Sequence, residues 1–367
     1  MSNLVPEQLD HNLTATSRSS ERRVATMADV ARMAGVTKMT VSYAFSGKRQ
    51  IGEETRNTIL RAAKELNFSP NAHARRLASG ASNHDVSLYS VNLSVGVDLL
   101  KVGLIRSVLQ ARGYSVAFHS DNSPRGQVAT LSLLRSQRPA AIVCDGTDLV
   151  PEAVTELQRY QEEGGVVVVY DSEIDLDCDT VTYDHASSLH TAAAHLVRLG
   201  HERIGLHILG PARIIEPSFV LRSTAGFDAA VSPLAVPSRW RFRGLSYENH
   251  EAGGADTAER LLAMPRSEWP TGMCFVNDSA AVACISFLMR AGIRIPEELS
   301  VVGVDDLPIA AHSIVPLTTV THPVAVLSQQ VVELLASRMG EYPGPIQRVS
   351  VQGELVIRES TAQASSI

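Results

Sequence analysis

Residues 26 to 47 of this 367-residue chain leave few folds open: Thr-Met-Ala-Asp-Val-Ala-Arg-Met-Ala-Gly-Val-Thr-Lys-Met-Thr-Val-Ser-Tyr-Ala-Phe-Ser-Gly. They read as two short helices joined by a tight turn. Thr26 is placed to cap the first helix, with Asp29 three residues on completing a capping-box-like start. Met27, Val30, Ala31 and Ala34 recur at helical spacing, Gly35 supplies the turn, and Thr37 caps the second helix. There Thr40, Val41 and Ala44 turn inward, while Lys38, Met39, Ser42 and Tyr43 stay free. Helices this short cross steeply only where the contact residues are small, and Ala31, Gly35 and Val41 meet that need. The spacing is that of a helix-turn-helix, whose second helix can enter the major groove of DNA. Two ordinary amphipathic core helices would share much of it.

Gly52 can open a third helix, Glu53 to Leu66, whose inward residues Ile59, Ala62, Ala63 and Leu66 close a three-helix core. Phe68-Ser-Pro70 ends it, because proline lacks a donor and restrains the residue before it. Asn71 to Ser79 can form one more helix, marginal in isolation at about nine residues. Residues 1–25 are polar without apolar periodicity and read as a disordered tail, and 81–85 as a polar linker.

From Val86 onward apolar strands alternate with amphipathic helices, the pattern of parallel sheets covered on both faces. The first series runs from strand Val86–Val91 through helix Val97–Ala111 to strand Val166–Tyr170. A second runs from helix Ser187–Leu199 to strand Ser300–Gly303. Strand Thr318–Thr321, helix Pro323–Met339 and strands near Ile346–Val349 and Glu354–Arg358 follow. Two such series exceed what one parallel sheet usually carries, so a two-lobed body with a ligand cleft at the strand carboxyl ends is expected. Charge divides in the same place. Residues 1–80 carry 12 Lys+Arg against 7 Asp+Glu, and the remaining 287 carry 21 against 32. A basic head on an acidic body suits a DNA-binding module joined to a regulatory one. The four cysteines lack Cys-x-x-Cys spacing and read as reduced core thiols. No basic start precedes an apolar segment and no apolar run approaches ~18 residues, so a cytoplasmic protein without membrane contact is expected. His185, His190 and His195, spaced by five, scatter around a helix, which argues against a metal site. No Gly-x-Ser-x-Gly elbow, Walker loop or His-Glu-x-x-His occurs, so no enzyme and no cofactor is expected.

Asp29-Val30-Ala31, Ala34-Gly35-Val36, Thr40-Val41-Ser42, Thr55-Arg56, Pro70-Asn71 and Ala74-Arg75-x-Leu77 resemble the headpiece and hinge of the LacI/GalR (lactose-repressor/galactose-repressor) family of bacterial transcriptional regulators. The resemblance continues through Leu199-Gly-His-Glu-Arg-Ile204, Val276-Asn-Asp278, Ala291-Gly-Ile-Arg-Ile-Pro296, Leu299 to Asp306 and Leu355 to Thr361, so it spans nearly the whole chain. It implies a small all-α helix-turn-helix headpiece on an α/β body of two lobes, like periplasmic sugar-binding proteins. The implied layout is a tail at 1–25, a DNA-binding domain at 26–70, a hinge helix at 71–80 and a linker at 81–85. One lobe follows at 86–184 and 321–349, the other at 185–320 and 350–361, and a tail at 362–367. The chain would cross between lobes near Asp184, Val320 and Ser350.

By position, the resemblance assigns DNA contact to Thr37, Lys38, Met39, Ser42, Tyr43, Asn71, Ala74, Arg75, Arg76 and Leu77, the last as a minor-groove wedge. Effector contact falls on Asp171, Asn277, Asp305 and His322, a set suited to a sugar or related polyol. Asp278 and Asp306 read instead as caps of the helices after them. Two departures stand out. The family's ligand-gripping arginine position is Ser223 here, with Arg222 one residue earlier, and Val91-Asn-Leu-Ser-Val-Gly-Val97 replaces the usual first-strand loop. The implied partners are a double-stranded, palindromic operator and a small-molecule effector. The chain would act as a homodimeric repressor, located on the nucleoid when bound, since no leucine heptads follow Thr361. A transport-associated sugar-binding protein, or a sugar-processing enzyme, would have no use for residues 26–80.

Overall fold

Asp29 accepts hydrogen bonds from both the amide and the hydroxyl of Thr26, at 2.9 and 2.6 Å, and so fixes the start of helix α1 (Met27–Ala34). Gly35, at φ +67°, ends it in the left-handed conformation that glycine adopts without a Cβ clash. The Thr37 hydroxyl then accepts from the Thr40 amide at 3.1 Å, starting α2 (Lys38–Ser46). Helix α3 (Glu53–Glu65) closes the unit over Val30, Ala31, Val41, Ala44, Ile59, Ala62 and Ala63, all buried. The computed structural model describes residues 25–46, 49–66, 68, 84–91, 93, 96–171, 174–210, 218–234, 236–244, 249–340 and 344–364. The expected tail, the hinge residues Asn71, Ala74, Arg75, Arg76 and Leu77, and most of the 81–85 linker lie outside the described residues. Residues 1–83 and 84–367 form separate units.

The second unit holds two six-stranded sheets. The first comprises β1 (Asp85–Tyr89), β2 (Ser115–His119), β3 (Ala141–Asp145), β4 (Val166–Asp171), β5 (Asp179–Tyr183) and β11 (Arg348–Val351), in the order β11-β5-β4-β3-β1-β2. The second comprises β6 (Ile204–Ile208), β7 (Arg241–Arg243), β8 (Gly272–Phe275), β9 (Ser300–Asp305), β10 (Thr318–Thr321) and β12 (Leu355–Val356), in the order β12-β10-β9-β8-β6-β7. Every pairing is parallel except β10 with β12. Strand residues alternate between faces. In β3, Ile142 and Cys144 join the cluster of Leu131, Leu134 and Leu157, while Ala141 and Val143 join Ile105, Leu109 and Leu335. Helices therefore cover both sides: α4 (Val97–Ala111), α5 (Pro124–Gln137), α6 (Pro151–Glu162) and α12 (Val324–Arg338) belong to the first sheet. Helices α7 (His185–Arg198), α8 (Ser218–Ala230), α9 (His250–Leu262), α10 (Asp278–Arg290) and α11 (Pro308–His312) belong to the second.

The chain passes from sheet to sheet three times: between β5 and α7, between β10 and α12, and between β11 and β12. These crossings are tied together. Tyr183 donates its hydroxyl to the Thr321 carbonyl at 2.9 Å, the Asp184 amide donates to Val351, and the Glu354 amide donates to the Thr321 hydroxyl. A Cβ on Gly353 would collide with the Thr321 carbonyl, so only glycine lets the third crossing lie this close. Strand β5 and helix α11 were not anticipated, and β11 runs to Val351, past the expected boundary at 349.

Two helix pairs of the second lobe meet at glycine. A Cβ at Gly226 (α8) would strike the Ala186 carbonyl of α7, and one at Gly254 (α9) the Ala280 carbonyl of α10. Backbone cannot yield as a flexible side chain does, so Gly226→Ala and Gly254→Ala should each destabilise the fold by about 1–3 kcal/mol. Urea titration of either variant at wild-type midpoint would show that these helices are free to separate.

Candidate functional site

The carboxyl ends of β3, β4 and β9 converge on a cavity of about 90 Å³ between the two sheets. Asp171, Asn277, Asp305 and His322 all line it, as does Ser223. Arg222 is not among the described lining residues, since successive helical side chains point about 100° apart. Asn277 has two tasks: its Oδ1 accepts from the Ala280 amide at 2.8 Å, capping α10, which leaves its amide nitrogen for the cavity. Asp278 does not cap α10. It receives the Leu307 amide at 2.8 Å and the Thr319 hydroxyl at 2.6 Å, tying β9, β10 and α10 together. Asp306 pairs with Arg358 at 2.6 Å rather than capping α11.

The sequence did not lead to Asp98, Lys101 and Asp145. The Lys101 ammonium is buried, bonds Asp171 and lies 2.8 Å from Asp98. Asp145 receives the Ser90 hydroxyl at 3.1 Å and the Thr147 amide at 2.9 Å. A signal existed: Lys101 stands four residues before Ile105 and eight before Leu109 on the buried stripe of α4. Oxygens of Asp98, Asp145 and Asp171 lie within 4.8 Å of one another, spacing that could hold a cation, but the ammonium of Lys101 already bonds Asp171 there.

Burial would lower the basicity of Lys101, yet Asp171, Asp98 and Asp145 outweigh it and keep the ammonium charged. Burial likewise pushes the Asp171 carboxyl up, and Lys101 and His322 overcome it, holding the group below the usual carboxylate range. At Asp145 burial outweighs the pull of Lys101 and the Thr147 amide, and with Asp171 and Asp98 nearby it pushes the carboxyl up to about 7. Desolvation, together with Asp278, raises Asp305 well above its ordinary value. Burial keeps His185 and His322 neutral, His185 falling to about 3. His322 stacks on Tyr183, ring centroids 4.0 Å apart, so the second crossing carries a cavity residue. Asp171, Asp305 and Asp306 also adopt positive φ, at 71°, 113° and 53°. Such backbone persists where the surroundings enforce it, and it clusters at binding sites.

In the headpiece, Lys38 and Met39 are exposed, Met39 at 64%, whereas Ser42 and Tyr43 are half-buried. Val41 and Ala44 anchor α2 to the core, and Phe45 meets Phe68 edge-on. The first turn of α2 is thus presented outward on a rigid support.

A helix-turn-helix joined to a two-lobed body with a polar cleft defines a ligand-controlled DNA-binding regulator. Residues 26–71 match the model of bacterial regulatory proteins of the lacI family, and 193–361 match a periplasmic binding protein-like domain. The chain is 29% identical to the HTH-type transcriptional regulator reg1 of Streptomyces lividans, covering 92% of this chain and 97% of that one. It is 27% identical to the HTH-type transcriptional repressor PurR of Haemophilus influenzae, covering 92% and 98%. The fold is similar to that of a lac repressor dimer bound to operator and the anti-inducer ONPF (TM-score 0.75, 22% identity, covering 93% of this chain and 100% of that one). It is also similar to a CelR–cellobiose complex (TM-score 0.65, 23% identity, covering 92% and 99%). The headpiece is thus that of the lacI family of bacterial regulatory proteins, and the body carries a periplasmic binding protein-like domain.

A carboxyl raised from 3.8 to about 7 stabilises the fold fully below the lower value. It loses that contribution as pH rises to the upper one, because the folded chain then holds a proton that the unfolded chain releases. Asp145→Asn should therefore flatten the pH dependence of stability across this window and melt higher than wild type above it. Parallel profiles for the two proteins would mean that Asp145 titrates normally.

Proposed function

We propose that this regulator is a repressor which binds a palindromic operator as a homodimer and responds to a sugar-like effector in its cleft. The observation that carries the DNA half is the outward first turn of α2, with Lys38 and Met39 free of the headpiece core. Lys38 can donate to guanine O6 and N7, and Met39 can meet a thymine methyl. Thr37, Ser42 and Tyr43 complete the reading surface. Asn71, Ala74, Arg75 and Arg76 extend it along the duplex, and Leu77 wedges the minor groove. Dimerisation is supported by α4, which exposes Leu99, Leu100 and Leu104 on one side. Acting on operator DNA places the protein in the cytoplasm. Among the described residues no helix is long and apolar enough to cross a membrane.

The effector half rests on Asp171, Asn277, Asp305 and His322, which face one cavity from both lobes. The lobes are 86–184 with 321–349 and 185–320 with 350–361, give or take the two residues by which β11 overruns. Acceptors and amides on both sides of a polyol would draw the lobes together. Arg222, with its charge near His185, would act at most through that residue. A transport-associated binding protein is the other reading of such a body, and purified protein without DNA affinity in low salt would favour it.

Two outcomes are expected. Tyr has one hydroxyl and cannot make the bidentate pair with guanine that an arginine makes, so Tyr43→Arg should change the half-site selected from a random pool. The change should fall at one or two neighbouring positions, with discrimination of about 1–3 kcal/mol; identical half-sites would remove Tyr43 from base reading. Asp305→Asn, a residue type that tolerates positive φ, should retain operator affinity while losing the response to effector. A normal response at unchanged effector concentration would take Asp305 out of the site.

A further inference from the structure

We propose that the effector carries an ammonium group on a hydroxylated skeleton, as an amino sugar or aminocyclitol does. This deepens the effector reading above and rests on it. The described lining residues hold four carboxyl groups, those of Asp98, Asp145, Asp171 and Asp305, against one ammonium, that of Lys101. Lys101 is already committed, bonded to Asp171 and 2.8 Å from Asp98. An incoming phosphate or carboxylate would therefore meet an excess of like charge and no free cation on Lys101. Hydrogen-bonding capacity points the same way. Asp171 Oδ1 and both ring nitrogens of His322 are buried in the lining without a hydrogen-bond partner among the described residues. His322 Nε2 and Asp171 Oδ1 stand 3.5 Å apart, too far for a good bond. The open Asp171 oxygen and the one acceptor nitrogen of the neutral His322 ring call for a donor-rich ligand, and a ligand ammonium would let Asp145 and Asp305, which their buried surroundings keep protonated, ionise beside Asp171. A bare divalent ion is less suited, because it would have to expel the Lys101 side chain from Asp171.

The test uses the full chain and matched ligand sets on the same skeleton: glucosamine, N-acetylglucosamine, glucose and glucose 6-phosphate, then the galactose and inositol counterparts, with calcium and magnesium alone. Thermal shift and calorimetric titration should find an amine as the strongest binder, about tenfold or more over its neutral partner. Lys101→Met, which removes the competing ammonium, should tighten amine binding, and Asp145→Asn should narrow the gap between amine and neutral members. A neutral or anionic sugar as the strongest binder overturns the charge assignment and leaves the effector cleft standing. Stabilisation greatest with a metal ion alone overturns it in favour of a cation site. No binding by any member overturns this inference and the effector reading together.

Discussion

Three strand crossings, hydrogen-bonded to one another at Tyr183, Thr321 and the Val351–Glu354 segment, hold the two sheets in register and create the cleft. The remaining features of the body follow from that junction. Parallel strands end on the same side, so closing two such sheets against each other brings Asp145, Asp171 and Asp305 to one place from distant parts of the chain. His322 belongs to the junction itself, its amide donating to the Asp305 carbonyl at 3.1 Å and its ring lying on Tyr183. A ligand held by His322 would therefore bear directly on a crossing. Crossings are where hinge rotation must be absorbed.

Helix α4 joins the same chemistry to the surface. Asp98 and Lys101 face the cleft, while Leu99, Leu100 and Leu104 emerge on the other side. A change in the ion cluster would shift the helix whose apolar face is proposed to meet the second copy. That gives an effector a short physical route to the dimer, through one rigid element rather than a chain of soft contacts. The cluster is also costly to keep. Lys101 is buried among three carboxylates, and Asp145 is neutral over much of the pH range in which Asp171 is charged. Structures retain such groups where binding needs them.

The headpiece was legible because each device in it is local. Thr26 with Asp29, Gly35, and Thr37 with Thr40 act within four residues, and all of them form in the structure. The parallel sheets were legible because runs such as Val166 to Tyr170 are apolar throughout. Strand β5 was missed because Asp-Thr-Val-Thr-Tyr is short, follows an acidic loop, and gains its place only by pairing with β4 and the distant β11. Lys101 was missed for a related reason: a lone lysine in a helix reads as solvated until its carboxylate partners, 70 residues away in the case of Asp171, are known. The positive φ of Asp305 has no sequence signature beyond its residue type.

If cleft and headpiece are thermodynamically coupled, effector and operator must change each other's affinity by the same factor. The direct measurement is calorimetric titration of the tightest-binding ligand into the full chain, alone and saturated with its selected duplex, beside titration of the duplex with and without that ligand. The two ratios should agree and lie at about 5–150-fold, in whichever direction the ligand acts. Ligand affinity unchanged by saturating duplex would contradict the coupling, leaving a DNA-binding protein and a ligand-binding protein that merely share a chain.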